Sequence, residues 1–570
     1  MNNNLNSTIN SLLNLIRDLL LLFPVIYLTI TELGFILSYS ISFAHVPIAF
    51  FIALLGTYQL NIKHNTTNTN YHWSLTLAVT IVLLIFTLSL FASISLIDTF
   101  YDSRAYHTKA IMALADGWNP LHTVSPCNWN SIYCNDVEWI LRHYPKAQWY
   151  LAAGIYKIFR NLDATKAFNA VFIILTLIVA WQFFNRLLPT RPIVTLIYTL
   201  ALGITPVSML QTFSNYIDGV LASAFTIYVL FTLSYFLFEE RKWIYRSSLI
   251  MPYLINLKFT GLVYAGVFGV LPLLVFFYKR SLFKHYLISN LIAGVISIGL
   301  FGFNPYVTNT MQFGHPFYPI FRDGVMYDVT NTTNSEFSNK NRFEKFYYTS
   351  FAIQDDKTQQ LIQVVPFTQI AKSIISVDTR FSGFGSLFSG IFVIALIHLL
   401  ILFGIFIKNL YYLNKNLAGN RNSVLLKISW CILSLATFAT IFITPVGWYA
   451  RLSPQVWLAV GLIEISILIL ATSNLLRISA IIVAALMVIN TFLTGYKLFK
   501  LQTKVSNKIF SDITQVATEH KPIKIVTNSI NHFTLHNQRK IADLFGNKIV
   551  IQEQCTKVIT GNPIFEICAK

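Results

Sequence analysis

Residues 75–107 read LTLAVTIVLLIFTLSLFASISLIDTFYDSRAYH, and this stretch decides the fold. Residues 75–97 contain no charged side chain. The run is longer than the roughly 20 apolar residues that a helix needs to cross a bilayer. Asp98 ends the run, and Asp102, Arg104 and His107 follow it closely. The stretch therefore predicts a membrane-spanning helix that delivers a polar segment to one face of the membrane.

The rest of the chain repeats this pattern. Charged residues make up only 12% of the 570 residues, and the mean hydropathy is +0.57, whereas soluble domains carry roughly 25% charged residues. We therefore predict an all-α polytopic membrane protein with about 13 transmembrane helices. The weakest run, 247–258, leaves open whether it is a full span, and 147–159 is too short to span. The candidate runs are 18–40, 44–61, 75–97, 164–185, 192–211, 216–238, 247–258, 260–278, 286–303, 384–408, 425–444, 453–471 and 478–496.

The basic residues of the short loops predict the orientation. Cytoplasmic loops carry an excess of Lys and Arg, and a cytoplasmic N-terminus would place nearly every short basic loop on that side. The long loops 98–163 and 304–383 and the tail 497–570 would then be extracytoplasmic, which predicts a multi-pass plasma (inner) membrane protein. Because the net charge of +18 is spread through loops, it excludes nucleic acid as the expected partner and favours the lipid bilayer. The loop residues are Lys63, Arg186, Arg191, Arg241, Lys242, Arg246, Lys279, Arg280, Lys284, Lys415, Arg421 and Arg477.

The cysteines support the same orientation. Cys127 and Cys134 share the first long loop, and Cys555 and Cys568 share the tail, whereas Cys431 lies inside an apolar run. Two local pairs in soluble segments predict two disulfides in an oxidising compartment. The alternative is that these four thiols are unpaired.

The C-terminal tail has a different pattern from the spans. It contains an amphipathic stretch at 506–520, strand-like runs at 523–527 and near 548–552, and a hairpin turn at 561–563. These features predict a small α/β extracytoplasmic extension.

Carboxylates recur where predicted helices meet the outer face. Asp98 and Asp102 follow one span, and Asp218 follows Asn215 and Tyr216 at the start of another. A carboxylate at this depth is costly unless it lines a wet cavity, and it can deprotonate a hydroxyl or hold a metal. The simpler interpretations are that the first two mark a helix end in water and that Asp218 or Asn215 caps a helix.

Cations are predicted at the same face. Lys258 separates two apolar runs, Arg451 precedes the run 453–471, and His143 and Lys146 close the first outer loop. Cations at a membrane surface can hold a phosphate, although snorkelling explains Lys258 equally well. Acids and cations together suit a site that joins a membrane-borne phosphate to a polar acceptor.

Short motifs in this outer face resemble those of the GT-C polyprenyl-phosphate-dependent glycosyltransferases, which include protein mannosyltransferases and the lipid A aminoarabinose transferase. The resemblance covers the organisation of about residues 75–500. It rests on Asp102 followed by Tyr106, on Gly117-Trp-Asn-Pro120, on His143-Tyr-Pro-Lys146, on Tyr216-Ile-Asp218 and on Arg451 near the last spans. Ser103 stands where the family often has a second acid, and two extra spans precede the catalytic loop.

The resemblance implies a domain organisation and a function. Residues 1–74 would hold the two extra spans, 75–303 a GT-C-like core with its catalytic loop at 98–163, 304–383 a second outer loop, 384–496 the last spans and 497–570 the tail. The protein would move a sugar from a polyprenyl-phosphate donor to an extracytoplasmic acceptor by inverting displacement.

The resemblance also implies roles for individual residues. Asp102 would be the base, with Asp98 as a second catalytic acid, and a divalent cation (Mg²⁺ or Mn²⁺) is left open, with Asp102 and Asp218 as its ligands. The phosphate would be stabilised by Arg451 and one of Lys146, His143 or Lys258. The predicted substrate-binding residues are Tyr106, His107, His143, Lys146, Tyr216, Asp218, Lys258 and Arg451.

Three alternatives remain from sequence. A transporter or flippase predicts ionisable residues at mid-membrane and repeated halves, whereas the acids considered above cluster at one face and no repeat is visible. A polymerase or ligase of surface glycans would place its key Arg and His in a late outer loop. A non-catalytic assembly protein for envelope glycans would keep the fold and lack the chemistry.

Overall fold

A computed structural model describes residues 2–65, 71–123, 125–126, 138–322, 325–326, 340–354, 361–363, 377–379, 383–415, 421–444 and 447–518. It also describes four short segments of the tail, at 523–526, 549–552, 558–561 and 566–568. The predicted disulfide partners Cys127, Cys134 and Cys555 and the side chain of Cys568 lie outside the described residues, so both pairings stay predictions. Cys431 is described, and it is a buried free thiol.

The described chain is predominantly helical. Helical turns at Ser103–His107, Leu162–Lys166, Ser297–Phe301, Phe303–Val307 and Ala450–Leu452 join the longer elements. The helices are α1 (Asn2–Ile36), α2 (His45–Asn65), α3 (Tyr71–Ser95), α4 (Thr108–Ala115), α5 (Glu138–His143), α6 (Ala147–Phe159), α7 (Ala167–Leu187), α8 (Pro192–Gly203), α9 (Pro206–Leu210), α10 (Asp218–Phe238), α11 (Arg241–Leu257), α12 (Phe259–Val275), α13 (Arg280–Ile296), α14 (Thr308–Phe313), α15 (Arg342–Phe351), α16 (Phe388–Asn414), α17 (Arg421–Ile443), α18 (Pro454–Leu470) and α19 (Asn474–Thr518).

Eight stretches within the described residues are long and apolar enough to cross a membrane: Thr8–Ile36, His72–Ser95, Leu162–Leu187, Asp218–Phe238, Arg280–Phe301, Phe388–Asn414, Arg421–Ile443 and Asn474–Ser511. A polytopic helical membrane protein is therefore confirmed, whereas about 13 full spans are not. The other five predicted runs are also helical, but four of them form helices of at most 17 residues. A helix of 17 residues is only about 26 Å long, so it is short for a hydrocarbon core of roughly 30 Å.

Proline divides one of the predicted runs. The run 192–211 forms α8 and the five-residue α9, with Ile204 and Thr205 extended between them. Pro206 disfavours the helical conformation at Thr205, whose hydroxyl instead accepts a hydrogen bond from the Ser208 amide at 3.0 Å and caps α9.

The last span extends further than predicted. Helix α19 runs from Asn474 to Thr518, so it includes most of the amphipathic stretch 506–520 and crosses the predicted boundary at 497 without a break. Residues 497–505 contain neither proline nor glycine, so no residue there stops the helix.

Short strands are confined to the loops and the tail. Strands β1 (Phe321–Arg322) and β2 (Val325–Met326) form one antiparallel pair, and β3 (Ala352–Gln354) and β4 (Leu361–Gln363) form another. In the tail, β5 (Ile523–Val526), β6 (Ile549–Gln552), β7 (Val558–Gly561) and β8 (Glu566–Cys568) form a sheet of order β6-β5-β8-β7. Strands β5 and β6 are parallel and coincide with the two strand-like runs of the sequence. That these strands and α19 together form a small α/β extension stays a prediction.

Helix α10 is the centre of the bundle, because nearly all of its side chains are buried. Its first residue, Asp218, lies beside the turn that joins α11 to α12. Lys258 is the single extended residue of that turn, at φ −161° and ψ 156°. A Cβ on Gly261 would lie 2.0 Å from the Leu254 carbonyl oxygen, so only glycine allows the two helices to approach this closely. The turn places the Lys258 ammonium against the start of α10.

A buried ionic cluster fixes α1 to the core near the opposite end of the bundle. Asp18 on α1 accepts two hydrogen bonds from Arg246 on α11, both at 2.9 Å. Arg17 donates to Asp18 at 2.8 Å, and both Arg17 and Asp18 are 1% exposed. Asn61 on α2 donates to the second Asp18 oxygen at 3.2 Å, so one carboxylate joins three helices.

We predict that Asp18→Asn lowers the free energy of unfolding by about 3–5 kcal/mol, because it leaves buried arginine charge without a counter-ion. Thermal unfolding of the detergent-purified protein would measure this. Glu239→Gln is the matched control, because Glu239 is 58% exposed in its ion pair with Lys279 and exposed pairs contribute about 1 kcal/mol or less. Equal losses in both variants would contradict the role assigned to Asp18.

Candidate active site

Arg451 lies in the turn Ala450–Leu452 that precedes α18, and three carboxylates lie within 4 Å of its guanidinium. Its Nη1 donates to Asp102 Oδ2 at 2.7 Å, and its Nη2 lies 3.2 Å from Asp378 Oδ1. Its Nε lies 3.9 Å from Asp218 Oδ2. The planar guanidinium presents several donors in fixed directions, so one side chain joins the first outer loop, the start of α10 and the second outer loop.

Aromatic rings enclose the same guanidinium. Its carbon lies 5.2 Å from the Tyr216 ring centroid and 5.0 Å from that of Tyr449, which are distances for cation–π attraction. The Tyr449 hydroxyl donates to Asp378. Burial opposes the charge of Arg451, but Tyr449 and the carboxylates of Asp102 and Asp378 outweigh it and raise its pKa well above the usual value. Arg451 is therefore a permanent cation.

Lys258 supplies a second cation. Its Nζ donates to Asp218 Oδ1 at 2.6 Å, and the two side chains are 9% and 2% exposed. Asp218 therefore lies between Lys258 and Arg451, and each of its oxygens faces a different cation. Three carboxylates and two cations therefore lie together here: Asp102, Asp218, Asp378, Lys258 and Arg451. We call them the Arg451 cluster.

The Asp102 side chain is 16% exposed, which is more than Asp218 at 2% and less than Asp378 at 27%. Its backbone amide donates to the Tyr216 hydroxyl at 3.2 Å, which fixes the start of the turn Ser103–His107. The Tyr106 hydroxyl, one turn away, lies 3.5 Å from Asp102 Oδ2. Burial, and next the Asp102 charge, raise the pKa of Tyr106 well above its usual value, so Tyr106 stays a neutral hydrogen-bond donor beside this carboxylate.

Asp98, predicted as a second catalytic acid, lies outside the Arg451 cluster. It is 1% exposed, and its oxygens accept from the backbone amides of Asn215 at 2.7 Å and Phe100 at 3.1 Å. Burial raises the pKa of Asp98, although Lys166, the Asn215 amide and the Ser103 hydroxyl oppose that effect. This environment suits a residue that positions the Asn215 segment, and the sequence could not separate that role from catalysis.

His107 lies beneath the cluster. Trp149 Nε1 donates to His107 Nδ1 at 2.8 Å, and the imidazole lies 5.9 Å from the Tyr216 ring. Burial lowers the pKa of His107 to about 3. His107 is therefore neutral at physiological pH and supports Tyr216 and Tyr106 through ring contacts.

His143 and Lys146 bind the second outer loop and not the Arg451 cluster. His143 Nδ1 lies 2.8 Å from Asn309 Oδ1, and burial lowers the pKa of His143 to about 4. Lys146 donates to Asn304 Oδ1 at 2.6 Å and to the carbonyls of Tyr144 and Arg142. Burial lowers the pKa of Lys146 to about 7. Of the cations proposed for phosphate, Lys258 is the one that lies with Arg451.

Two members of the site were missed in the sequence. Asp378 and Tyr449 lie far apart in the chain, and the segment around Asp378 shows no periodicity that would predict its position. The one sequence signal for Asp378 is charge, because it and Glu464 are the two acids that flank Arg451 in the late part of the chain; Tyr449 has no such signal.

A buried pair inside the membrane-spanning helices was also missed. His398 Nδ1 on α16 lies 2.7 Å from Glu464 Oε2 on α18, and Ser479 Oγ on α19 lies 3.0 Å from His398 Nε2. His398 is 2% exposed and Glu464 is fully buried. The sequence prediction that the acids cluster at one face is therefore incomplete.

The donor set of the cluster does not fit a divalent cation. The oxygens of Asp102 and Asp218 face Arg451 and Lys258, whose positive charges occupy the space that a metal would need. Among the described residues, no group of three or more His, Cys, Asp or Glu side chains is arranged to hold a metal ion.

Comparisons with known proteins give structural similarity alone. No protein-family profile matches the chain, and no curated protein matches it. ArnT from Cupriavidus metallidurans bound to undecaprenyl phosphate is similar at a TM-score of 0.42 and 15% identity, covering 83% of this chain and 84% of that chain. ArnT in the apo state gives 0.45 and 14%, covering 84% and 85%. ArnT is an aminoarabinose transferase, but at these values the function must be argued from the Arg451 cluster itself.

The buried neutral His107 predicts acid sensitivity. In the unfolded chain, His107 binds a proton as the pH falls below about 6.5. In the folded protein, His107 does not bind a proton until about pH 3. The free energy of unfolding therefore decreases as the pH falls below about 6.5. Between pH 7 and pH 5 this residue should remove about 2 kcal/mol of stability. His107→Gln keeps an acceptor for Trp149 and cannot titrate, so chemical denaturation at both pH values should show a smaller pH dependence in this variant. An unchanged pH dependence would contradict the neutral state of His107.

Proposed function

We propose that this protein is an integral membrane glycosyltransferase that moves a sugar from a polyprenyl-phosphate donor to an extracytoplasmic acceptor. The observation that carries the proposal is the Arg451 cluster, in which three carboxylates, two of them partly exposed, contact two cations at one end of the helical bundle. This pairing supplies a base for a hydroxyl and a binding site for a phosphate within a few ångströms of each other. The motifs that resemble GT-C enzymes contribute Asp102, Asp218 and Arg451 to this cluster, and Tyr216 to the rings around Arg451.

Phosphate binding would require an exchange of partners. Without a ligand, Arg451 donates a hydrogen bond to Asp102 Oδ2 at 2.7 Å, so this carboxylate oxygen is already occupied. A donor phosphate is a bidentate acceptor for arginine, so it can replace Asp102 on Arg451. The exchange would free the Asp102 carboxylate to accept a hydrogen bond from an acceptor hydroxyl only when the donor is present.

The reaction then follows from these positions. Asp102 accepts the proton of an acceptor hydroxyl, and the oxygen attacks the anomeric carbon of the donor sugar. The bond between that carbon and the phosphate oxygen breaks, and the phosphate leaves with the electron pair. Arg451 and Lys258 stabilise the charge on the leaving phosphate. A single displacement inverts the anomeric carbon and forms no covalent enzyme intermediate.

The location of the cluster suits a lipid-linked donor. Asp102 follows α3 by a few residues, and Asp218 begins α10, so both lie where helices leave the hydrocarbon. A polyprenyl chain can stay in the membrane while its phosphate reaches Arg451 and Lys258. In the predicted orientation this end is extracytoplasmic and the N-terminus is cytoplasmic.

One observation favours a second candidate, a transporter or flippase. His398 lies within Phe388–Asn414, which is long enough to cross a membrane, and Glu464 is its buried partner on the shorter apolar helix α18. Ionisable residues at such depth are costly and commonly belong to ion or proton pathways. Glu464 Oε1 is buried and has no hydrogen-bond partner among the residues that the structure describes. We rank this function second because Ser479, His398 and Glu464 form one short chain of contacts, without the repeated halves that many transporters share.

Asp102→Asn should reduce sugar transfer by roughly 10²–10⁴-fold, because it removes the general base and keeps the shape of the side chain. The measurement is release of radiolabelled sugar from a panel of polyprenyl-phosphate sugars in proteoliposomes. Asp116→Asn is the matched control, since it makes the same change in the same outer segment outside the Arg451 cluster, and it should keep normal transfer. Full transfer by folded Asp102→Asn protein would exclude Asp102 as the base.

Glu464→Gln separates the two candidate functions. It removes the charge of the intramembrane pair and leaves the Arg451 cluster unchanged, so a glycosyltransferase should keep its transfer rate within about threefold. A transporter would lose proton- or ion-coupled uptake into the same proteoliposomes. Loss of uptake together with the absence of transfer from every donor would favour the transporter.

A further inference from the structure

A cavity lies at the end of the bundle opposite to the Arg451 cluster. It has a volume of about 420 Å³ and is bordered by the second half of α16, the start of α17 and the junction between α18 and α19. Helix α16 has 27 residues and so is about 40 Å long. Its first turn lies near the end that carries Asp378 and its last turns border the cavity. The cavity is therefore a membrane thickness away from the candidate active site.

The lining of the cavity is apolar at its floor and cationic at its mouth. Ile401, Ile405 and Leu476 line the apolar part. Lys408 and Lys427 lie at the mouth, from α16 and α17 respectively. Tyr412 joins them, and the Lys408 ammonium lies 5.7 Å from the Tyr412 ring.

No carboxylate of the bordering helices neutralises these lysines. The sequence contains no Asp or Glu between Asp378 and Glu464, so α16 and α17 are free of acids. Glu464 on α18 is paired with His398. The only acid of α19 is Asp512, which is more than about 50 Å along that helix from Leu476.

We propose that this cavity binds the head group of an anionic phospholipid, such as phosphatidylglycerol or cardiolipin, with the phosphate between Lys408 and Lys427 and the start of an acyl chain against Ile405 and Leu476. Basic pockets between helices on the cytoplasmic side are suited to such head groups. The apolar floor distinguishes this ligand from a soluble phosphate compound, which would gain nothing from Ile405 and Leu476. The site does not depend on the proposed transfer reaction.

General attraction of basic loops to anionic lipid is the competing explanation. It predicts that any two exposed cations at this end of the bundle contribute equally. Arg280 and Lys284 on α13 provide that comparison, because both are exposed, both are predicted to be cytoplasmic and neither borders the cavity.

The experiment is native mass spectrometry of the detergent-purified full chain, titrated with dioleoyl phosphatidylglycerol, tetraoleoyl cardiolipin or dioleoyl phosphatidylcholine. The anionic lipids should bind more tightly than phosphatidylcholine. The double variant Lys408→Gln/Lys427→Gln should weaken anionic binding by roughly 10- to 30-fold, because two cations near the surface are removed. Arg280→Gln/Lys284→Gln should change it less than about twofold.

A third variant tests the cavity and not the charge. Leu476→Trp fills the apolar part, keeps both lysines and should weaken anionic lipid binding at least about fivefold, with an unchanged unfolding temperature as the check on folding. Equal weakening in the α13 control, or no preference for anionic lipid, would overturn the proposal. So would displacement of the lipid by millimolar inorganic phosphate in the wild type, which would assign the site to a soluble phosphate.

Discussion

The charge of Arg451 is the constraint on which the outer end of this protein depends. A buried guanidinium is costly unless carboxylates surround it, and here the carboxylates come from three distant parts of the chain: Asp102 from the first outer loop, Asp218 from the central helix and Asp378 from the second outer loop. The cation is satisfied only when all three segments are in place. One electrostatic requirement therefore brings Asp102, Asp218 and Asp378 together and assembles the site.

The same interactions leave no cation of the Arg451 cluster without a carboxylate partner. Each cation that could hold a phosphate is already bound to a carboxylate, since Lys258 contacts Asp218 and Arg451 contacts Asp102. Under the proposed function, a donor phosphate would therefore displace an internal carboxylate and free it to contact an acceptor hydroxyl. Buried contacts around the cluster would confine this exchange to the side chains that take part in it. Gly261 permits the tight turn that holds Lys258, and Trp149 and His107 support the tyrosines from below. Asp98 and Lys146, which share the region, are used for structure and not for the exchange.

The two ends of the bundle have opposite electrostatic characters. The Arg451 cluster is richer in carboxylates than in cations, whereas the far ends of α16 and α17 carry Lys408 and Lys427 with no acid on either helix. Such a difference matches the asymmetry of a membrane, whose cytoplasmic surface attracts cations, and it suits a protein that handles a phosphate at one surface and is held by lipid at the other. Between the two ends, His398 and Glu464 form an ionisable pair within the helices, which keeps a transport function testable beside the enzymatic one.

The sequence by itself predicted the class of protein, many of its spans and four of the five residues of the Arg451 cluster. Apolar runs predict helices because the bilayer leaves the backbone no other way to satisfy its hydrogen bonds, and Asp102 and Asp218 were found because charge at a helix end is conspicuous in such a chain. Helix ends were less predictable, as the break before Pro206 and the long α19 show. Only the tertiary structure decided which cations contact which acids. It places Lys258 against Asp218 and Asp378 against Arg451, whereas Lys146 binds Asn304 in the second outer loop. The physical reason is that a contact between residues hundreds of positions apart depends on how helices pack, which no local pattern of residues records.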